Sequence, residues 1–152
     1  MRGPNGEELP AAALFACTLN SVRSPMAAAI MRHLFGRIVY VRSAGARAGE
    51  IDPMAVEVME EIGIEIGKHQ PRTFEDLEDA SFDLIVTLSP EAHHKAMELT
   101  RTMAVEVEYW PTPDPTAVEG SRDQRLDVYR AVRDELMRKI EARFAADRAG
   151  DA

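Results

Sequence analysis

Cys17 stands six residues before Arg23 in the run Leu14-Phe15-Ala16-Cys17-Thr18-Leu19-Asn20-Ser21-Val22-Arg23-Ser24-Pro25-Met26. An apolar stretch ends at the thiol, a short loop follows, and Ser24-Pro25 has the form of a helix start. The thiolate is the nucleophilic form of cysteine, and a helix N-terminus and a nearby arginine both favour it. The loop N–H groups from Thr18 to Ser24 would gather into an anion nest. Arginine grips two oxygens of one anion through its planar fork, which lysine does not. Such parts suit in-line attack of sulfur on the phosphorus or arsenic of a tetrahedral oxyanion, the equatorial oxygens being held by Arg23 and the loop.

That attack leaves an oxygen in need of a proton, and a positioned carboxylic acid can supply it. Asp114 is the candidate, in the proline-stiffened segment Pro111-Thr112-Pro113-Asp114-Pro115. Both residues also have plainer readings. A lone cysteine is commonly a small buried hydrophobe, and Asp-Pro is a common turn dipeptide.

The elements that must place these residues follow from the pattern. Residues 11–17 form a continuous apolar run, as expected of a strand covered on both faces. Met26, Ile30 and Leu34 carry helical spacing up to Gly36. Ile38 to Val41 is a second β-rich run, ending at Ser43-Ala44-Gly45. Asp52-Pro53 repeats the cap-and-proline signal, with Gly63 closing the helix that follows. Phe82 to Leu88 is the third strand and Ser89-Pro90 opens another helix. Val105 to Trp110 alternates as an edge strand. Leu126, Tyr129, Val132, Leu136, Ile140 and Phe144 mark one buried stripe on a long last helix. Arg122, Arg125, Arg130, Arg133 and Arg138 interleave with acids there and read as a solvated face. Glu75 to Asp79 reads as an acidic surface cluster.

Strand and helix alternate four times, which predicts a three-layer α/β domain: a four-stranded, mainly parallel sheet with helices on both faces. The expected bounds are residues 11–146, with a flexible extension at 1–10 and a flexible tail at 147–152. In such sheets ligands bind beyond the carboxyl ends of the strands, where the Cys17 loop, Ser43 and the Asp114 loop would meet.

The chain has 152 residues and a formal net charge of −8. That balance argues against nucleic acid or an anionic membrane as the main partner. It also requires a local positive field to hold an anion. One cysteine gives no internal disulfide and no sign of export, and a cytoplasmic setting is the expectation. His93-His94 lacks partners at ligand spacing, and neither a metal nor a cofactor is expected.

The Cys17–Ser24 loop, with Asn20 inside it, resembles the signature loop of the low-molecular-weight protein tyrosine phosphatases, whose fold thioredoxin-coupled arsenate reductases share. The resemblance runs from about Leu14 to Phe144 and includes Ser43-Ala44-Gly45, His69, the third strand and Asp114-Pro115. It implies Cys17 as nucleophile, Arg23 as transition-state clamp and Asp114 as acid and then base. Asn20, Ser43 and His69 are implied as loop supports.

The departures bear on substrate. Thr116 and Ala117 stand where these phosphatases carry two aromatics, and Ala46-Arg47-Ala48-Gly49 lacks an aromatic too. Ser89 and Ala96 lie near positions of resolving cysteines in the reductases. Leu19 replaces a common glycine, and strain is expected if that position needs positive φ.

The expected activity is cysteine-dependent hydrolysis of phosphate monoesters, protein phosphotyrosine or smaller. One alternative is arsenate reduction with an external thiol such as glutathione, mycothiol or a glutaredoxin. The other is a non-catalytic phosphate-binding regulatory module.

Overall fold

The computed structural model describes residues 9–77, 81–101 and 103–144. Four parallel strands form one sheet: β1 (Ala12–Cys17), β2 (Tyr40–Gly45), β3 (Leu84–Thr87) and β4 (Glu106–Tyr109), in the order β2-β1-β3-β4. Helices α1 (Arg23–Phe35), α2 (Pro53–Glu60), α3 (Pro90–Leu99) and α4 (Arg122–Phe144) connect or follow them. A short 3-10 turn spans Pro115–Ala117. The expected three-layer architecture is present, with every strand pair parallel.

Alternation along β1 divides the core. Ala13, Phe15 and Cys17 join the cluster made with α1, α2 and α4, while Ala12, Leu14 and Ala16 face α3 with Phe74, Phe82 and Ile85. Burial on both faces explains why β1 reads as an unbroken apolar run. The six residues forecast as a stripe on α4 are all buried. Asp83 fixes the start of β1 by accepting the N–H groups of Ala11 and Ala12 at 2.9 and 2.7 Å.

Two helix starts are capped as their sequences indicate. Asp52 accepts the Met54 N–H at 2.8 Å, and Ser89 accepts the Ala92 N–H at 3.2 Å. The first helix differs. It begins at Arg23 after Val22 with no side-chain cap, because the Ser24 hydroxyl is drawn inward to the Cys17 sulfur and the Asn20 amide.

Strand bounds shift as well. β2 continues through Gly45, and β3 is shorter than Phe82–Leu88. Leu9 and Pro10, grouped by sequence with the extension, are buried. Residues 1–8, the proposed tail and Glu78-Asp79 of the acidic cluster lie outside the described residues. Within that cluster Glu75 and Asp76 are exposed, Leu77 is buried, and Glu75 pairs with Lys95.

The arginines of α4 are not one solvated face. Arg133 is 8% exposed and donates to the Val58 carbonyl and Glu61 at 2.8 Å each. Arg130 grips Glu61 with two nitrogens at 2.8–3.1 Å. These bonds hold the Glu61 carboxyl down at about 2 and join the end of α2 to α4. No helix among the described residues is long and apolar enough to cross a membrane.

Candidate active site

The loops after all four strands converge at the carboxyl end of the sheet. The Cys17 loop follows β1, residues 46–52 follow β2, Ser89 follows β3 and the Asp114 segment follows β4. Cys17, Thr18, Leu19, Ser21, Val22, Arg23, Asp114 and Thr116 line one hollow of about 50 Å3 there. The structure therefore brings the thiol, guanidinium and carboxylate chosen from sequence around one space.

The loop sorts its backbone polarity. Its carbonyls turn outward: Cys17, Thr18, Leu19 and Ser21 accept from the N–H groups of Ala46, Arg47, Gly49 and Asp52 at 2.9–3.2 Å. Among the described residues, the N–H groups of Thr18 through Arg23 donate to no protein acceptor. Buried donors without partners are uncommon in folded proteins. A run of them around one hollow is an anion nest at a helix N-terminus.

Cys17 is 2% exposed and its sulfur receives the Ser24 N–H at 3.4 Å, with the Ser24 hydroxyl 2.9 Å away. That hydroxyl has one proton and a second acceptor in reach, the Ala44 carbonyl at 3.3 Å. Both Ser24 groups thus meet the sulfur at the first turn of α1.

Asn20 holds the loop's shape. It is fully buried and has φ of 56°, the only positive φ outside glycine among the described residues. Asparagine tolerates this conformation better than most residues. Leu19 is outside that region, so the strain expected there is absent: the left-handed residue is its neighbour. The Asn20 side chain donates to Ser24 Oγ at 2.8 Å and to Ser43 Oγ at 3.0 Å. Its oxygen accepts the Arg72 N–H at 3.0 Å and His69 Nε2 at 2.9 Å. An amide oxygen only accepts, so Nε2 carries the proton. Burial, followed by nearby Arg72, Arg32 and Arg42, pushes the His69 imidazole below its ordinary value. The three proposed supports, Asn20, Ser43 and His69, thus form one connected network.

Arg23 is buried, and Nη1 donates to the Thr112 carbonyl at 3.0 Å while Nη2 lies 3.4 Å from Thr18 Oγ1. Thr18 in turn donates to Ser89 Oγ at 3.0 Å. The guanidinium is therefore tied to the segment that carries the carboxylate and to the start of α3. Asp114 is exposed at the rim. Oδ1 accepts the Thr116 N–H and hydroxyl at 2.9 and 2.7 Å, and among the described residues Oδ2 has no such partner. The turn-forming and acid readings of Asp114 are compatible, since one oxygen serves the turn and the other is free.

Sequence reasoning did not single out Thr112 or Arg72, and Gly45 entered it only as part of Ser43-Ala44-Gly45. Thr112 and Arg72 act through backbone groups, which no side-chain pattern reports. A Cβ on Gly45 would lie 2.3 Å from the Arg47 oxygen and 2.8 Å from the Asn20 nitrogen, so the loop packs against that glycine. His93, considered and set aside as a metal ligand, faces Thr87 Oγ1 at 2.9 Å and stacks on Tyr109. Among the described residues no group of three or more His, Cys, Asp or Glu side chains could hold a metal.

Similar proteins carry the same frame. An arsenate reductase of Shouchella clausii is 37% identical over 127 residues, covering 83% of this chain and 89% of that protein. The low molecular weight protein tyrosine phosphatase from T. tengcongensis superposes with TM-score 0.69 at 28% identity, covering 86% of this chain and 95% of that one. The YwlE arginine phosphatase from Geobacillus stearothermophilus does so with TM-score 0.70 at 26% identity, over 93% and 95% of the two chains. Residues 12–148 match the family described as low molecular weight phosphotyrosine protein phosphatase, and the chain belongs to that family.

Proposed function

We propose that the chain is a cysteine-dependent phosphatase that hydrolyses phosphate monoesters through a Cys17 thiophosphate. The observation that carries this reading is the shared hollow. It is lined by Cys17, by loop residues whose N–H groups have no protein acceptor among the described residues, and by Arg23 and Asp114.

In the first step the Cys17 thiolate attacks phosphorus and the ester P–O bond breaks. Asp114 gives its proton to the departing oxygen. In the second step Asp114 takes a proton from water, the hydroxide attacks phosphorus, and the S–P bond breaks. Inorganic phosphate and the thiolate result. The N–H groups of the loop and Arg23 hold the equatorial oxygens throughout, in a preorganised field. The rim carries Leu19 and Thr116 with no aromatic wall. Stacking on a phosphotyrosine ring is therefore weak, and a slim phosphorylated side chain or small molecule fits best.

A second reading has its own support: the Shouchella clausii relative bears the name arsenate reductase. With one cysteine in 152 residues, this chain has no second thiol to resolve a Cys17–arsenic adduct. Two external thiol equivalents, oxidised to a disulfide, would have to supply the two electrons. The non-catalytic reading loses one of its two motives, because Leu19 is not at positive φ, and keeps the other, the missing aromatic walls.

Hydrolysis of p-nitrophenyl phosphate by wild type, Cys17→Ser and Asp114→Asn tests the leading reading. Turnover abolished by Cys17→Ser and reduced about 100-fold or more by Asp114→Asn is the expected result. Absence of Cys17-dependent hydrolysis, together with arsenate-dependent oxidation of added glutathione or mycothiol, would establish the second reading instead.

A further inference from the structure

Behind the Cys17 loop lies a second pocket, about 180 Å3 and polar, between α1 and residues 65–69. Arg32, Lys68, Ser43, His69 and Glu65 line it. Two more cations, Arg42 and Arg72, lie near enough to act on His69. Among the described residues, none of Arg32, Arg42, Lys68 and Arg72 has a carboxylate within 4.0 Å.

Most arginines of α4 are paired, although Arg37, Arg101, Arg125 and Lys139 also have no carboxylate within 4.0 Å among the described residues. Arg122, Arg130, Arg133, Arg138 and Arg143 are all paired. The one carboxylate lining the pocket, Glu65, turns Oε1 to the Gly67 N–H. Arg32 commits Nη2 to the Val41 carbonyl at 2.9 Å, which leaves Nε and Nη1. Like charges gathered without partners repel one another, and a multivalent anion relieves that repulsion.

We propose that this pocket is a second oxyanion site, separate from the Cys17 hollow, for a small multivalent anion of the phosphate or pyrophosphate class. Its larger volume, about 180 Å3 against 50 Å3, favours the longer anion. Arg32 and Lys68 supply charge-assisted hydrogen bonds and the Ser43 hydroxyl adds a neutral donor. Ser43 and His69 also hold Asn20, so an occupant touches two of the groups that shape the catalytic loop. Such contact provides a coupling between the two sites.

Calorimetric titration with inorganic pyrophosphate tests this on the full chain. Wild type, Arg23→Met and the double variant Arg32→Met/Lys68→Met are compared. Wild type shows two sites, Arg23→Met keeps the rear site, and the double variant loses it, with affinity falling at least about tenfold per charge-assisted bond removed. Amide resonances of Ser43 and Gly67 move with pyrophosphate in Arg23→Met.

Loss of all binding in Arg23→Met, or unchanged binding in the double variant, overturns the proposal. So does the absence of any binding in wild type beyond the Cys17 site. If circular dichroism shows the double variant unfolded, Lys68→Met alone decides, since that side chain is exposed; unchanged rear-site affinity refutes the site. None of these readouts depends on turnover at Cys17, so they fail or succeed independently of the phosphatase assay.

Discussion

Replacing Asn20 by alanine tests whether one side chain holds the catalytic loop. Asn20 is fully buried and its amide makes four hydrogen bonds, at 2.8–3.0 Å. At about 1 kcal/mol net for each, their loss alone costs about 4 kcal/mol, and stranded buried partners raise it. Alanine at φ of 56° adds about 1 kcal/mol of backbone strain. Relaxation of the Ser24 and Ser43 hydroxyls toward other donors gives some back, so the expected loss is about 3–5 kcal/mol. That is a large part of the roughly 5–15 kcal/mol that stabilises a domain.

Urea unfolding in phosphate-free buffer measures it, because bound anion would add stability by mass action. The midpoint should fall with an unchanged slope. Asn20→Gly separates the two contributions, since glycine accepts the φ but restores no hydrogen bond. It should recover about 1 kcal/mol relative to alanine. A loss under about 1 kcal/mol for Asn20→Ala would refute the view that this network fixes the loop.

Arg23→Lys keeps the charge but loses the planar fork and the Thr112 contact, and kcat on p-nitrophenyl phosphate should fall about 100- to 1,000-fold with a smaller change in KM. Gly45→Ala places a Cβ against the Arg47 oxygen and Asn20 nitrogen, so the melting temperature should drop by several degrees, as for about 1–3 kcal/mol of overpacking. His69 is held below its ordinary value by burial and neighbouring arginines, so the unfolded chain binds its proton more readily. The resulting stability is present above about pH 6.5 and is lost as pH falls through the folded value. His69→Gln, which still offers Asn20 an N–H, should remove that slope in urea midpoints taken across this window, and an unchanged slope would exclude His69 as its source.

Much of this arrangement was readable because its signals are local. Asp52-Pro53 and Ser89-Pro90 cap their helices through their own side chains. Ser24-Pro25 looks the same on paper, yet its hydroxyl serves the Cys17 sulfur and the Asn20 amide, contacts that exist only once the loop has closed. The place of positive φ was misjudged for a related reason. Side-chain identity at Leu19 does not tell which loop residue turns left-handed. Arg133 was legible after all, lying four residues after Tyr129 and three before Leu136 on the buried stripe. Interleaving charge hid that periodicity. Thr112 and Arg72 contribute a carbonyl and an N–H, groups that every residue but proline shares and that no motif can report.

The outward-facing carbonyls of the Cys17 loop divide labour between backbone and side chains. Residues 46–52 secure the loop through main-chain N–H groups, which leaves the side chains of Ala48 and Glu50 free to vary, while Arg47 pairs with Glu91 of α3. Gly49 is excepted, because a Cβ there would meet Ser21 Oγ at 2.7 Å. Grip on the anion is thereby insulated from the choice of what the anion is attached to. A library built at 48, 50 and 117 can therefore vary the surroundings of the hollow without touching the groups that hold the anion.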